Sequence, residues 1–215
     1  MSVEIPKMAV TLGGYGIPQS DIIECRVHLG CTKEVSSFDL LLQNLNGKYS
    51  ASGSISLNIG MNGSIGIGRG ANVPQIITCR VESLNHEGTS TESYVRVSGR
   101  CWGERLFRRV FTCTFANMKG EDIVKHLLDY YVGLSHVRDS TELVETTDTT
   151  YAKLEYKDTP VFDILKYVAE SADKQGVIGY DSRVAPDAKF EFFPKNSKNS
   201  PVNLLERIEA YEYRA

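Results

Sequence analysis

Short runs in which apolar and polar residues alternate, each cut off by a turn signal, fill the first hundred residues of this chain of 215. A period of two puts successive side chains on opposite faces, so such a run fits a half-buried β-strand. In the run 22–29, Ile23, Cys25, Val27 and Leu29 share one face, with Glu24, Arg26 and His28 on the other. Phe38, Leu40 and Leu42 do the same in 37–45, which an Asn46-Gly47 turn ends. Ile55, Leu57 and Ile59 alternate with Ser54, Ser56 and Asn58, which predicts a strand over 54–59. Ile77, Cys79 and Val81 mark another at 75–84; a polar turn at 85–91 follows, and 93–98 pairs back. With a first run at 3–12, ended by Gly13-Gly14, the reading predicts six or seven short antiparallel strands, arranged as a barrel or sandwich.

Glycines at 60, 63, 66, 68 and 70 crowd the middle of this region. No strand–turn–helix pattern surrounds them and no Gly-Lys-Ser/Thr closes the run, so neither a dinucleotide fingerprint nor a phosphate loop is expected. A flexible hairpin or loop is.

The chain changes character over 98–131. A Cys101-Trp102-Gly103 corner leads into a strand carrying Phe111, Cys113 and Phe115 on one face. An amphipathic helix near 118–132 follows, with Asn117 as its candidate cap and Glu121 and Asp122 in its first turn. Its stripe is Ile123, Val124, Leu127, Leu128 and Tyr131, and Gly133 stops it. After a polar loop at 135–150 and a strand at 151–156, Thr159-Pro160 predicts the start of a second helix near 160–174. Ile164, Leu165, Val168, Ala169 and Ala172 line its buried face, and Gly176 closes it. Stretches 176–180 and 189–193 read as a hairpin, and 202–213 as a last extended piece. The expected class is α+β, mainly β: an antiparallel barrel or sandwich over 1–100, then a smaller α+β domain over 101–215 with two amphipathic helices.

The formal net charge of −3 gives no bulk footprint for nucleic acid. The first residues lack the basic start and apolar core of a signal peptide, and no run approaches the roughly 20 apolar residues of a membrane span. Synthesis in a cytoplasm, with no membrane anchor in the chain, is expected. The five cysteines, Cys25, Cys31, Cys79, Cys101 and Cys113, form no CxxC pair and no zinc spacing. Buried free thiols are expected, with disulfides the alternative outside the cell. No GxSxG, HExxH or paired-acid pattern stands out, so no catalytic residue, cofactor or metal is expected. Trp102, the single tryptophan, reads as a core or junction anchor, and His126 as a surface residue. Arg100, Arg105, Arg108 and Arg109 form a basic cluster, either a solvated face or an ion-paired subunit contact. Eleven tyrosines keep open a glycan- or receptor-binding β-module.

Four pieces, in order, carry a resemblance. They are Phe38-Asp39-Leu40-Leu41-Leu42-Gln43-Asn44; 55–60 followed by 74–84; Val97-Ser98-Gly99-Arg100-Cys101-Trp102 with Leu106 and the helix at 121–131; and 156–176 followed by Phe190-Glu191-Phe192-Phe193. Together they resemble the late-control-D-like hub proteins of phage tails and contractile injection systems. The group often has aspartate where Cys101 stands and glycine where Cys79 stands. The resemblance implies a structural protein of the virion tail or baseplate, a homotrimeric ring joining tail tube to spike or tip complex. Its implied partners are copies of itself, the tail tube protein, the spike or tip protein and baseplate proteins, with DNA only passing through a lumen. Ser54, Ser56 and Asn58 are then candidates to line that lumen, and the arginines to form an interface. A full hub returns to a second barrel, so the shorter chain is expected to be a minimal or split hub, or a fragment.

Overall fold

The computed structural model describes residues 5–88, 92–108, 110–195 and 197. Strands β1 (Pro6–Leu12), β2 (Tyr15–Ile17), β3 (Ile22–His28), β4 (Ser37–Gln43), β5 (Asn62–Arg69), β6 (Gln75–Gly88) and β7 (Ser93–Cys101) form one sheet. All its pairings are antiparallel, in the order β2-β1-β5-β6-β7-β4-β3. The sheet curls into a half-barrel. The predicted apolar faces of β4 and β6 turn inward: Phe38, Leu40, Leu42, Ile77, Cys79 and Val81 are buried with Val10, Leu12, Ile65, Val95 and Val97. Each large side chain so buried contributes about 1.5–3 kcal/mol.

The glycine-rich stretch is a strand inside this sheet, not a loop. β5 lies between β1 and β6. It runs so close to neighbouring backbone that a Cβ on Gly63 would stand 2.3 Å from the Thr11 carbonyl oxygen of β1, and one on Gly68 1.9 Å from that of Asn72 in the turn toward β6. Glycine here serves close packing. The predicted strand at 54–59 is absent, because β5 fills that place in the ladder. Residues 44–61 instead cover the curled sheet, with Tyr49 and Leu57 plugging its core. Ile59 is exposed, against the expected alternation. The Tyr49 hydroxyl donates to Asp21 Oδ2 at 2.6 Å, and its amide to Asn44 Oδ1 at 2.8 Å, which pins the cover at two points.

Two smaller corrections concern the edges of strands. An irregularity between Ile22 and Glu24 turns Ile23 outward, so only Cys25 and Val27 of the predicted face reach the core, and Leu29 is exposed. Residues 85–88, read as part of a turn, continue β6.

The second half holds β8 (Val110–Lys119), α1 (Gly120–Leu127), β9 (Val137–Arg138), β10 (Thr141–Glu142), β11 (Thr150–Pro160), α2 (Val161–Ser171), β12 (Asp173–Lys174), β13 (Val177–Ile178), β14 (Tyr180–Val184) and β15 (Phe190–Pro194). β8 pairs with β11, β9 with β10, β12 with β13 and β14 with β15. Helix α1 runs on through a wider π-type turn, Leu128–Val132, and stops at Gly133 with φ of 67°. The predicted stripes of both helices are buried around Tyr180, Phe190 and Phe192, except that Tyr131 is only partly buried.

The helix starts differ from expectation. Asn117 lies within β8 at φ of 52° and caps nothing. The strand runs on to pair Lys119 with Thr150, so α1 begins only at Gly120. At the second helix, the Thr159 hydroxyl donates to the Lys157 carbonyl, and Pro160 is still extended at the cap position. α2 ends before Ala172, and Gly176, at φ of 79°, turns the β12–β13 hairpin. The predicted hairpin is β14 with β15, starting later than 176. The stretch 202–213 lies outside the described residues.

Cys101 belongs to the sheet's core, while Trp102 packs against the second core, as the junction reading expects. The halves also meet where the Thr32 amide donates to Ser182 O at 2.7 Å and the Ser182 amide to Thr32 Oγ1 at 3.0 Å. Val184 touches both cores.

Candidate functional site

The arginine cluster sits on this junction. Where β7 leaves the sheet, a 3-10 turn spans Trp102–Phe107, and Cys101 Sγ accepts from the Gly103 amide. The turn packs closely: a Cβ on Gly103 would come within 2.7 Å of Val35. It projects Arg105 across the Trp102 ring, guanidinium 3.9 Å from the centroid, and Arg105 Nη1 donates to the Gly133 carbonyl at 3.0 Å. Stacking of this kind contributes about 0.5–1 kcal/mol at exposed sites. Burial, opposed by Glu104 and helped by Arg108 and Arg80, holds the Arg105 pKa below its ordinary value.

Arg108 donates to Glu104, whose carboxylate is buried. Arg100, on β7, grips Glu82 with two bonds of 2.7 and 2.8 Å and lies over the Phe107 ring. The Arg100 guanidinium holds the Glu82 carboxyl below its usual range. Arg109 lies outside the described residues. Sequence reasoning missed Arg80. It stands on β6 directly opposite Arg100, and with Arg105, Arg108, Tyr131 and Val132 it lines a depression of about 210 Å³. Its only sequence signal was its polar position next to Cys79 in an alternating run.

Ser54, Ser56 and Asn58 are not a strand face. Ser54 and Asn58 are exposed and Ser56 half-buried on the covering segment, and none of them lines the arginine depression.

A second feature is the pair of sheet edges. Among the described residues β3 pairs only with β4 and β2 only with β1, so within them each strand's outer side is left without a partner strand. The seven residues of β3 form the longer edge. Exposed Ile23 and Leu29 lie on or beside it, with the Glu24–Arg26 and His28–Glu34 pairs.

No group of three or more His, Cys, Asp or Glu side chains among the described residues is arranged to hold a metal. Asp21, Glu82 and Asp187 are held below the ordinary carboxylate range by Lys48, Arg100 and Arg138 respectively. Such carboxylates are ion-pair partners and poor proton donors near neutrality. Exposed Tyr15, Tyr130 and Tyr167 are spread over β2, the end of α1 and α2.

No family model matches the sequence, and no curated protein matches it. Solved structures do. The 43 kDa tail protein of prophage MuSo2 from Shewanella oneidensis superposes with a TM-score of 0.63 at 17% identity, over 92% of this chain and 55% of that one. The fold is that of a phage tail protein. A tail protein from Neisseria meningitidis MC58 gives 0.61 at 16% identity, over 92% of this chain and 54% of its own. The E. coli c3393 protein, a type VI secretion component described as structurally similar to T4 tail proteins gp27 and gp5, gives 0.60 at 12% identity, over 89% and 50%. The chain thus spans about half the length of these tail-type structures. At such identities the likeness is one of fold, and it agrees with the phage-tail fold that the resemblance of the sequence motifs implies.

Proposed function

We propose that this chain is a structural subunit of a phage-type tail, a hub that assembles as a ring and joins the tail tube to the spike or tip complex. The observation that carries the reading is the curled seven-stranded sheet, whose two edges are open among the described residues, in a fold shared with tail proteins. A ring built head to tail needs an unpaired surface on each side of the subunit, which the β2 and β3 edges supply. The ring is a homotrimer in this reading. Its partners are tail tube, spike or tip, and baseplate proteins, its place is the virion, and DNA only passes through its lumen. Ser54, Ser56 and Asn58, polar and accessible, are available to a lumen. The chain's work is interface formation, without catalysis.

Light scattering on the purified chain across a concentration series tests this. A trimer or larger ring is the expected mass. A monomer at every concentration, even with tail tube protein added, would overturn the reading.

A further inference from the structure

Arg80, Arg105 and Arg108 line one depression together with Tyr131 and Val132, and their charges are unequally answered. Arg108 has Glu104. Arg105 has a neutral carbonyl and an indole face. Among the described residues the Arg80 side chain has no hydrogen bond and no ion pair, although it is half-buried and crosses from β6. Its neighbour across the sheet, Arg100, takes both oxygens of Glu82 for itself. With Arg100 the cluster holds four guanidinium groups against two carboxylates, Glu82 and Glu104, so positive charge is in excess around the recess and a further anion there would offset the repulsion.

The shape of the recess selects among anions. It is a single pocket of about 210 Å³ with an aromatic and an aliphatic side chain in its lining. A nucleic acid backbone would need a basic track with several phosphate contacts. The recess instead fits one carboxylate side chain whose neighbours are apolar. We propose that this depression receives a glutamate or aspartate side chain, flanked by apolar residues, from a partner protein of the tail. Arg80 and Arg105 are the pair that bind it. The inference rests on the hub reading for its partner, and on the pocket alone for its chemistry.

The test uses the full chain and its arginine Nε–Hε NMR signals. Three probes are titrated: the blocked peptide acetyl-Leu-Glu-Leu-amide, its Gln counterpart, and inorganic phosphate with a thymidine oligonucleotide as the nucleic acid arm. The Glu peptide should move the Arg80 and Arg105 signals with a dissociation constant on the order of 1 mM, and the Gln peptide should bind about tenfold more weakly. Arg80→Gln should weaken the Glu peptide by roughly fivefold to tenfold with little change in thermal unfolding, because among the described residues the Arg80 side chain has no hydrogen bond to lose and its attraction to Glu82 is set against its repulsion of Arg105. Equal binding of the Glu and Gln peptides, tighter binding of phosphate or oligonucleotide, or no movement of either signal at about 20 mM peptide would each overturn the proposal. The mass of the same samples separates the two claims. A ring that ignores the peptide ends the pocket and spares the hub; a monomer that binds it does the reverse.

Discussion

The two halves of the chain are held by different means. The sheet half buries an almost wholly apolar core, and its buried polar residues are the uncharged Thr32, Ser36 and Asn44. The second half buries carboxylates. Glu121 accepts from the Thr147 amide at 2.9 Å and from its hydroxyl. Glu191 lies between Arg138 and Arg183 at 3.1 and 2.9 Å. His136 is set between Glu142 and Asp129 at 2.7 and 3.0 Å. A curled sheet closes its own backbone bonds strand by strand and needs side chains mainly as filling. Short two-stranded pieces around two helices leave many loop ends, which charged side chains tie together.

If that contrast is right, the sheet should fail by shape and the second half by lost polar contacts. The largest effect is expected from Gly63→Val. No rotamer clears the Thr11 carbonyl, so β5 must leave the ladder, and a loss of about 3 kcal/mol or more should appear in denaturant unfolding. A tolerated valine would mean the sheet is looser than described.

Glu121→Ala comes next. It strands the buried amide of Thr147 and leaves its hydroxyl only the longer bond to the Thr149 carbonyl, at about 2 kcal/mol, and should speed hydrogen exchange at 143–149 before it affects the sheet. An equal loosening of both halves would blur the comparison.

Asp21 probes the one charged tie on the sheet's cover. Lys48 first, and then the Tyr49 hydroxyl, hold its folded pKa below the unfolded value. Its stabilising effect is therefore complete above the unfolded pKa of about 3.9 and is lost as pH falls through the folded one. Asp21→Asn should flatten the acid limb of the stability curve below about pH 4, measured by unfolding at successive pH values. An unchanged limb would remove Asp21 as its source.

The smallest effect is chemical. All five cysteines are free; Cys31 is exposed, whereas Cys79 is buried and burial pushes its thiol up to about 12. A thiol reagent should therefore label Cys31 in the native protein and reach Cys79 and Cys101 only on unfolding.

Alternation revealed β4 and β6 because each faces water on one side, and the helical stripes because each meets a single core. The same rule misplaced 54–59, where Leu57 enters the core from a loop, and it missed β5, whose glycines leave no pattern of apolar side chains to read. Asn117 looked like a cap because the length of β8 is set by a distant partner strand, which pairs Thr150 with Lys119. At the candidate surface, Arg100, Arg105 and Arg108 were visible as a sequence cluster. Arg80 was not, because it joins them only through the pairing of β6 with β7.

The central claim, that the curled sheet is an assembly platform completed by neighbouring copies, meets its most direct test at β3. Hydrogen exchange of the outward-facing amides of Ile22–His28, followed over a dilution series, reads whether that edge is paired. The account predicts protection at high concentration that disappears on dilution. Exchange that is fast and identical at every concentration, in a sample whose mass is that of a ring, would contradict it.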